Sequence, residues 1–194
     1  MQKLVIDTSY GSTVGVVGHE PIVETDSRTH VEKLQVNIAQ AVEQAGLQAS
    51  DITRIVVVVG PAPFTGLRAG IVAAKALAFA TGAQLVGQDV LAPQCLAHTQ
   101  ATDDRRHLTL AVNDARRRQL YFALYDGGTV AVGVGQSPIR LIDMEIDYPD
   151  SITMRVNDVL TKLADTGKPY VVDVIGHGAV KYAQSWNAIA SLGE

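Results

Sequence analysis

The chain has little cysteine and no long apolar run, and each of these shortages excludes a class of protein. Its 194 residues include a single cysteine, Cys95, which excludes an internal disulfide framework and a cysteine-rich zinc site. The most apolar stretch, from Gly70 to Ala80, contains Lys75 and is too short to cross a bilayer. The first residues lead straight into an apolar strand, so no signal peptide is expected. These features favour a cytoplasmic protein that makes no membrane contact.

An excess of positive charge is also missing. The 16 Lys and Arg residues are outnumbered by 20 Asp and Glu residues, giving a net charge of −4, so no overall field attracts this chain to nucleic acid. One local exception is Arg116-Arg117-Arg118, which the pattern places at the tip of a hairpin. Such a run is either a solvated turn or a contact for RNA, nucleotide or an acidic partner.

The sequence patterns of several common catalytic sites do not occur. There is no Gly-x-Ser-x-Gly elbow, and Cys95 has no basic or histidine-rich surroundings to activate its thiol. There is no Gly-x-x-x-x-Gly-Lys-Ser/Thr loop for nucleotide phosphates. A serine hydrolase with such an elbow, a thiol enzyme and a P-loop NTPase are therefore all disfavoured.

The order of predicted elements repeats. Each half contains three short strands, a helix, a further strand and a helix, which predicts a duplicated α/β fold. We expect a first subdomain over 1–90 and a second, shortened one over 91–194. In the second, Asp126-Gly127-Gly128 is expected to turn the chain into a strand ending at Val134, and a loop containing Pro138 should follow. The last helix is expected over about 180–189.

The most informative segment runs from Gly60 to Arg68. It follows the β-branched run 55–59 and opens an alanine-rich helix predicted over 66–81. A helix N-terminus that follows a Gly/Pro loop is a common anion site, because unpaired N–H groups and the helix dipole point outward there. The first strand ends similarly, in Asp7-Thr8-Ser9. Asp7 could hold a hydrated metal, or it could cap its own hairpin.

Five motifs in this order resemble the bacterial family of tRNA threonylcarbamoyladenosine dimerisation subunits, TsaB (formerly YeaZ). They are Ile6-Asp7-Thr8-Ser9, His30-Val31-Glu32, Gly60 to Arg68, Asp114-Ala115-Arg116 with Tyr121, and Gly176-His177-Gly178. The resemblance covers nearly the whole chain. It implies the duplicated actin-like fold of the sugar-kinase and heat-shock ATPase superfamily, with two βββαβα-type halves whose first hairpins grip phosphates.

The resemblance also implies a function, namely a non-catalytic scaffold that binds and activates the catalytic threonylcarbamoyl transferase paralogue. Expected partners are that paralogue, the ATPase subunit of the same pathway and a second copy of the chain, with tRNA contacted only through the complex. No cofactor is required, although ATP or ADP could lie at the interface with the paralogue. The candidate nucleotide contacts are Asp7, Thr8, Ser9, Thr65, Gly66 and Arg116.

The same family pattern suggests an interface built from the first two helices. The helix over 66–81 is apolar nearly all round, so one of its faces needs a cover besides the sheet. The adjacent helix from Val31 or another chain could supply this cover, and a fully internal helix is the alternative. The expected interface residues are His30, Val31, Leu34, Ala69, Val72, Ala73, Ala76 and Ala80. Phe79 shares the outer face with the alanines.

Two departures bear on catalysis. The catalytic paralogue carries a His-x-x-x-His metal motif on its first helix, whereas here Leu34 stands four residues after His30, so no metal site is expected. In the loop, Ala62 and Pro63 replace a glycine and a serine, which disfavours a phosphate cradle. A small ATP-dependent kinase or ATPase and a glycoprotease-like metallopeptidase remain the alternatives.

Overall fold

A computed structural model describes residues 1–26, 30–99, 106–132, 135–164 and 169–193, with side chains left out at 30, 99, 127–132 and 135–136. The chain divides into two compact units, Met1–Val90 and Leu91–Glu194. Each unit has its own sheet and its own buried cluster of apolar side chains.

The first unit is built on a five-stranded sheet in the order β3-β2-β1-β4-β5. Its strands are β1 (Gln2–Asp7), β2 (Ser12–Val16), β3 (Ile22–Glu24), β4 (Ile52–Gly60) and β5 (Gln84–Asp89). The first three are antiparallel neighbours, whereas β4 runs parallel to β1 and β5 runs parallel to β4. Because parallel strands end at the same edge of a sheet, β1 and β4 both deliver their following loops there.

Two helices cover the core of this unit, α1 (His30–Gln44) and α2 (Phe64–Thr81), and they contact each other. Both end at a glycine in the left-handed region, Gly46 at φ 70° and Gly82 at φ 74°, which are positions that residues with a Cβ rarely adopt. The buried side chains of α1 recur at helical spacing, and they pack with β1, β2 and β4 in one cluster.

The second unit is built on a four-stranded sheet in the order β8-β7-β6-β9. Its elements are α3 (Leu91–Thr99), β6 (His107–Asp114), β7 (Leu120–Val132), β8 (Gly135–Asp147), α4 (Pro149–Ala164), β9 (Val171–Ile175), α5 (His177–Lys181) and α6 (Ala183–Trp186). Three antiparallel strands followed by a parallel fourth repeat the order β3-β2-β1-β4 of the first unit. The predicted duplicated α/β fold is therefore confirmed.

Several local predictions are wrong. No turn occurs at Asp126-Gly127-Gly128, because β7 runs through these residues to Val132. The segment with Pro138, predicted as a loop, is the long strand β8. The expected last helix over 180–189 is two short helices, α5 and α6, with a break at Tyr182. Strand β5 was not predicted at all.

Helix α2 is long and apolar enough to cross a membrane on length and composition alone, and no other helix among the described residues meets that test. Part of it nevertheless packs on the sheet of its own unit, against β4, β1 and β5. Packing on the core accounts for only part of this composition, because most residues of the helix are not buried.

Candidate functional site

The turn after β1 holds the first group of candidate nucleotide contacts. The backbone N–H of Ser9 donates a hydrogen bond of 2.8 Å to Asp7 Oδ1, so the carboxylate closes its own turn. This contact is the capping role that the sequence left open for Asp7. The adjacent Thr8 is only 2% exposed.

Thr8 connects this turn to α2. A Cβ added at Gly70 would lie 2.3 Å from Thr8 Oγ1, which shows that the threonine packs directly on the helix backbone. The Oγ1 atom is buried, and it has no hydrogen-bond partner among the described residues. The structure thus brings the end of β1 against α2, one turn from Gly66, another of the candidate contacts.

The loop between β4 and α2 is a rigid corner. Gly60 lies at φ 111°, and Pro63 occupies the position before the helix without a side-chain cap. The helix begins at Phe64, two residues earlier than predicted. Phe64 is 71% exposed, and the guanidinium of Arg68 lies 5.1 Å from its ring centre. Thr65 is exposed and Gly66 is buried.

The outer face of α2 is the largest exposed apolar feature of the first unit's helices. Val72 is 61% exposed and Phe79 is 94% exposed, and Ala76 and Ala80 lie exposed on the same side. The basic residues Arg68 and Lys75 flank this stripe on one edge. We call these six residues the α2 face. None of the described side chains covers the ring of Phe79, which leaves an apolar surface almost fully in water.

The predicted interface residues do not all belong to this face. Leu34 is 2% exposed and Ala73 is 5% exposed, and both lie in the buried cluster of the first unit. Their assignment to a subunit interface is therefore wrong, because α1 and α2 turn these positions toward their own sheet. Val31 and Ala69 are half-buried, and the side chain of His30 lies outside the described part of the structure.

Arg116 belongs to the second unit, in the β6–β7 turn. Its side chain is exposed, and its backbone N–H donates to Asp114 Oδ1 at 3.2 Å. Its φ is 71°, and its neighbours Arg117 and Arg118 also have positive φ, at 51° and 64°. The sequence placed a turn here but gave no sign of this backbone conformation.

The sequence analysis did not predict a buried polar cluster that the structure shows in the second unit. The carboxylate of Asp173 on β9 accepts hydrogen bonds from His98 on α3, at 2.8 Å, and from His107 on β6. Asp173 is 1% exposed. Only the parallel pairing of β6 with β9 and the packing of α3 bring these residues together. No group of three His, Cys, Asp or Glu residues that could hold a metal ion occurs in the described ranges.

The repeated sheet order and the covering helices define the class of protein. The fold is similar to that of the ROK hexokinase from Thermus thermophilus, with a TM-score of 0.52 and 15% sequence identity. The match covers 97% of this chain and 86% of the hexokinase chain. The class is the actin-like ATPase and sugar-kinase fold. YeaZ from Pseudomonas aeruginosa has the same fold, with a TM-score of 0.65 and 19% sequence identity. That match covers 93% of this chain and 78% of the YeaZ chain.

Within this class, the model of one family, described as TsaD, tRNA N6-adenosine threonylcarbamoyltransferase, matches residues 16–184, and the chain belongs to that family. The resemblance found in the sequence is thereby confirmed. An uncharacterized protein of Mycobacterium tuberculosis is 36% identical over 140 residues, which are 67% of this chain and 62% of the relative. The chain therefore spans just under two thirds of that relative's length.

Proposed function

We propose that this chain is a non-catalytic scaffold subunit in threonylcarbamoyladenosine modification of tRNA next to the anticodon. It binds the catalytic threonylcarbamoyl transferase paralogue, activates it and works with the ATPase subunit of the same pathway in the cytoplasm. Its family membership and its YeaZ-like fold support the pathway. The α2 face supports the role within it.

The α2 face is the observation that carries the proposal. Burying an exposed Phe side chain is favourable by on the order of 2 kcal/mol, so the exposed ring of Phe79 favours binding of a partner. Val72 is exposed on the same stripe and adds to this apolar surface. The small side chains of Ala76 and Ala80 let a second helix approach closely. An exposed apolar stripe with basic residues on one edge fits a partner helix that has an acidic flank. A second copy of this chain is the competing occupant of the same surface.

The turn after β1 argues for a scaffold over an enzyme. Asp7 Oδ1 accepts a hydrogen bond from the backbone N–H of Ser9, and the side chain of Thr8 packs against α2 at Gly70. The corner at Ala62 and Pro63 offers fewer backbone donors than a glycine-rich loop, since proline has no N–H. These features support neither the kinase or ATPase alternative nor the metallopeptidase alternative. If ATP or ADP binds, we propose that it does so at the interface with the paralogue, near Thr65, Gly66 or Arg116.

Substitution of Ala76 by glutamate tests the α2 face. Because Ala76 is exposed, Ala76→Glu should leave the melting temperature of the free chain unchanged. In a complex, however, it buries an unpaired charge, which costs roughly 3 to 5 kcal/mol and weakens association at least a hundredfold. Copurification with the transferase paralogue, together with gel filtration of the chain alone, measures both effects.

Two matched variants make this experiment decisive. Ala164→Glu makes the same change on an exposed position of α4 and should leave association intact. Ala73→Glu makes it on the buried side of α2 and should destabilise the free chain itself. Undiminished binding of the paralogue by Ala76→Glu would contradict the proposed interface, and loss of a homodimer alone would assign the face to a second copy.

A further inference from the structure

The β6–β7 turn carries an unusual backbone. Arg116, Arg117 and Arg118 all lie in the left-handed region, at φ 71°, 51° and 64°. Only glycine, and less often Asn or Asp, adopts this region readily, because a Cβ crowds the following carbonyl oxygen. The backbone at these positions therefore favours glycine or asparagine, yet arginine occupies all three. The choice of arginine has to come from what the side chains do.

Hydrogen bonds within the hairpin fix this arginine turn, as we call Arg116, Arg117 and Arg118. The N–H of Ala115 donates to the carbonyl of Gln119 at 3.0 Å, and the N–H of Gln119 donates to the carbonyl of Arg116 at 2.9 Å. Asp114 is engaged by the N–H of Arg116 and by Lys181 Nζ, at 3.5 Å. Asp114, which precedes the turn, is thus already shared between two donors, and hydrogen bonds hold the turn at both ends.

The three guanidinium groups are available to a ligand. All three side chains are exposed, and in the described part of the chain none of them makes an ion pair. Three consecutive arginines thus concentrate positive charge on one turn of a chain whose net charge is −4. A concentration of free positive charge on an acidic protein is a surface for a polyanion.

The geometry of the turn favours a string of phosphates over a single small anion. In a left-handed turn, as in its right-handed mirror image, successive side chains point about 100° apart around the axis, with 3.6 residues per turn. Three successive side chains therefore leave the backbone in different directions, which favours contacts to several phosphates over contacts to one. Each can instead hold a different phosphate in the planar, two-pronged way that arginine allows and lysine does not.

We propose that the arginine turn contacts the phosphate backbone of the RNA, so that this chain itself touches the substrate of its complex. This inference rests on the proposed function, from which the RNA is taken. The contact adds affinity and orientation without reading sequence, because phosphates are the same at every position.

The salt dependence of RNA binding tests this inference with the full chain. The probe is an unmodified tRNA transcript with adenosine next to its anticodon, and the dissociation constant is measured by fluorescence anisotropy across a series of KCl concentrations. Each Arg→Gln change in the turn should lower the slope of log K against log salt by about 0.7 to 0.9, and the triple change should lower it by about 2. Triple Arg→Lys should keep most of the slope.

Lys162→Gln is the matched control, because it removes one exposed positive charge from α4 of the same unit and should leave the slope unchanged. Thermal melting shows whether each variant is folded. An unaltered slope in the folded triple Arg→Gln variant, or no RNA binding by the wild-type chain, overturns the inference. Equal or tighter binding of polyglutamate would assign the turn to an acidic protein and also overturn it. If copurification with the transferase paralogue persists in either case, the proposed function stands without this contact.

Discussion

Gly70 is the residue at which the first strand and the second helix meet. Its Cα lies so close to the side chain of Thr8 that an added Cβ would be 2.3 Å from Oγ1 and 3.2 Å from Cβ. The missing side chain of one residue therefore sets how closely α2 approaches the turn after β1. That approach holds the candidate nucleotide contacts of the first unit in place.

Gly70→Ala should destabilise the first unit, because the new methyl group has no space. The expected loss in the free energy of unfolding is about 1 to 3 kcal/mol, the usual cost of overpacking. Urea unfolding measures it. In the double variant with Thr8→Ala, the Oγ1 and Cγ2 atoms are gone and part of the loss should be recovered. Equal destabilisation by the single and double variants would show that Thr8 is not the obstacle.

At the scale of elements, the start of α4 is held by a single carboxylate. Asp147 accepts hydrogen bonds from Ser151 Oγ at 2.7 Å and from the backbone N–H of Tyr148 at 2.8 Å, and Arg155 lies 3.7 Å away. The hydrogen bond from Ser151, together with the Tyr148 N–H and the charge of Arg155, lowers the pKa of Asp147 below its ordinary value of 3.8, against the opposing effect of burial.

This lowered pKa predicts a pH-dependent stability. Because the folded pKa of Asp147 is below its unfolded value, the stabilisation is fully present above pH 3.8 and is lost as the pH falls through the folded pKa. Asp147→Asn should cost about 1 kcal/mol or less at neutral pH, as for a lost helix cap, and should flatten the fall in stability below about pH 4. Urea unfolding between pH 3 and 7 measures both effects.

Asp150→Asn is the control for Asp147→Asn, because Asp150 lies in the first turn of the same helix and is exposed. It removes a carboxylate without removing the hydrogen bond to Ser151. If both variants change the pH dependence of stability equally, the effect comes from negative charge at the start of the helix and not from the specific hydrogen bonds of Asp147.

For the whole molecule, the scaffold role predicts that the isolated chain neither hydrolyses ATP nor transfers threonylcarbamoyl. The described residues bring no three metal-ligating side chains together, and Asp7 already accepts the N–H of Ser9. Phosphate release from ATP, measured with the pure chain, should not exceed that of the buffer. Turnover that disappears on Asp7→Ala would instead favour the kinase or ATPase alternative.

The strands that the sequence missed were decided by pairing between distant segments. Gly87 lowers the strand propensity of the β5 sequence. A Cβ at this position would lie 2.9 Å from Val59 Cγ1, so the packing of β4 against β5 favours glycine there. Pro138 argues against a strand, yet it lies in β8 at the edge of its sheet, where a missing backbone donor is tolerated. Neither circumstance is visible without the neighbouring strand.

What the sequence determined by itself follows from local periodicity. The β-branched run 55–59 predicted β4, and the alanine-rich segment after it predicted α2. The repeated order of predicted strands and helices predicted the duplicated fold. An apolar helix such as α2 has no periodic signal to separate its faces. Only packing on its own sheet decided that Ala73 is buried and that Ala76, three residues later, is exposed. Likewise, only the folded hairpin holds three arginines in a backbone conformation that their own propensity disfavours.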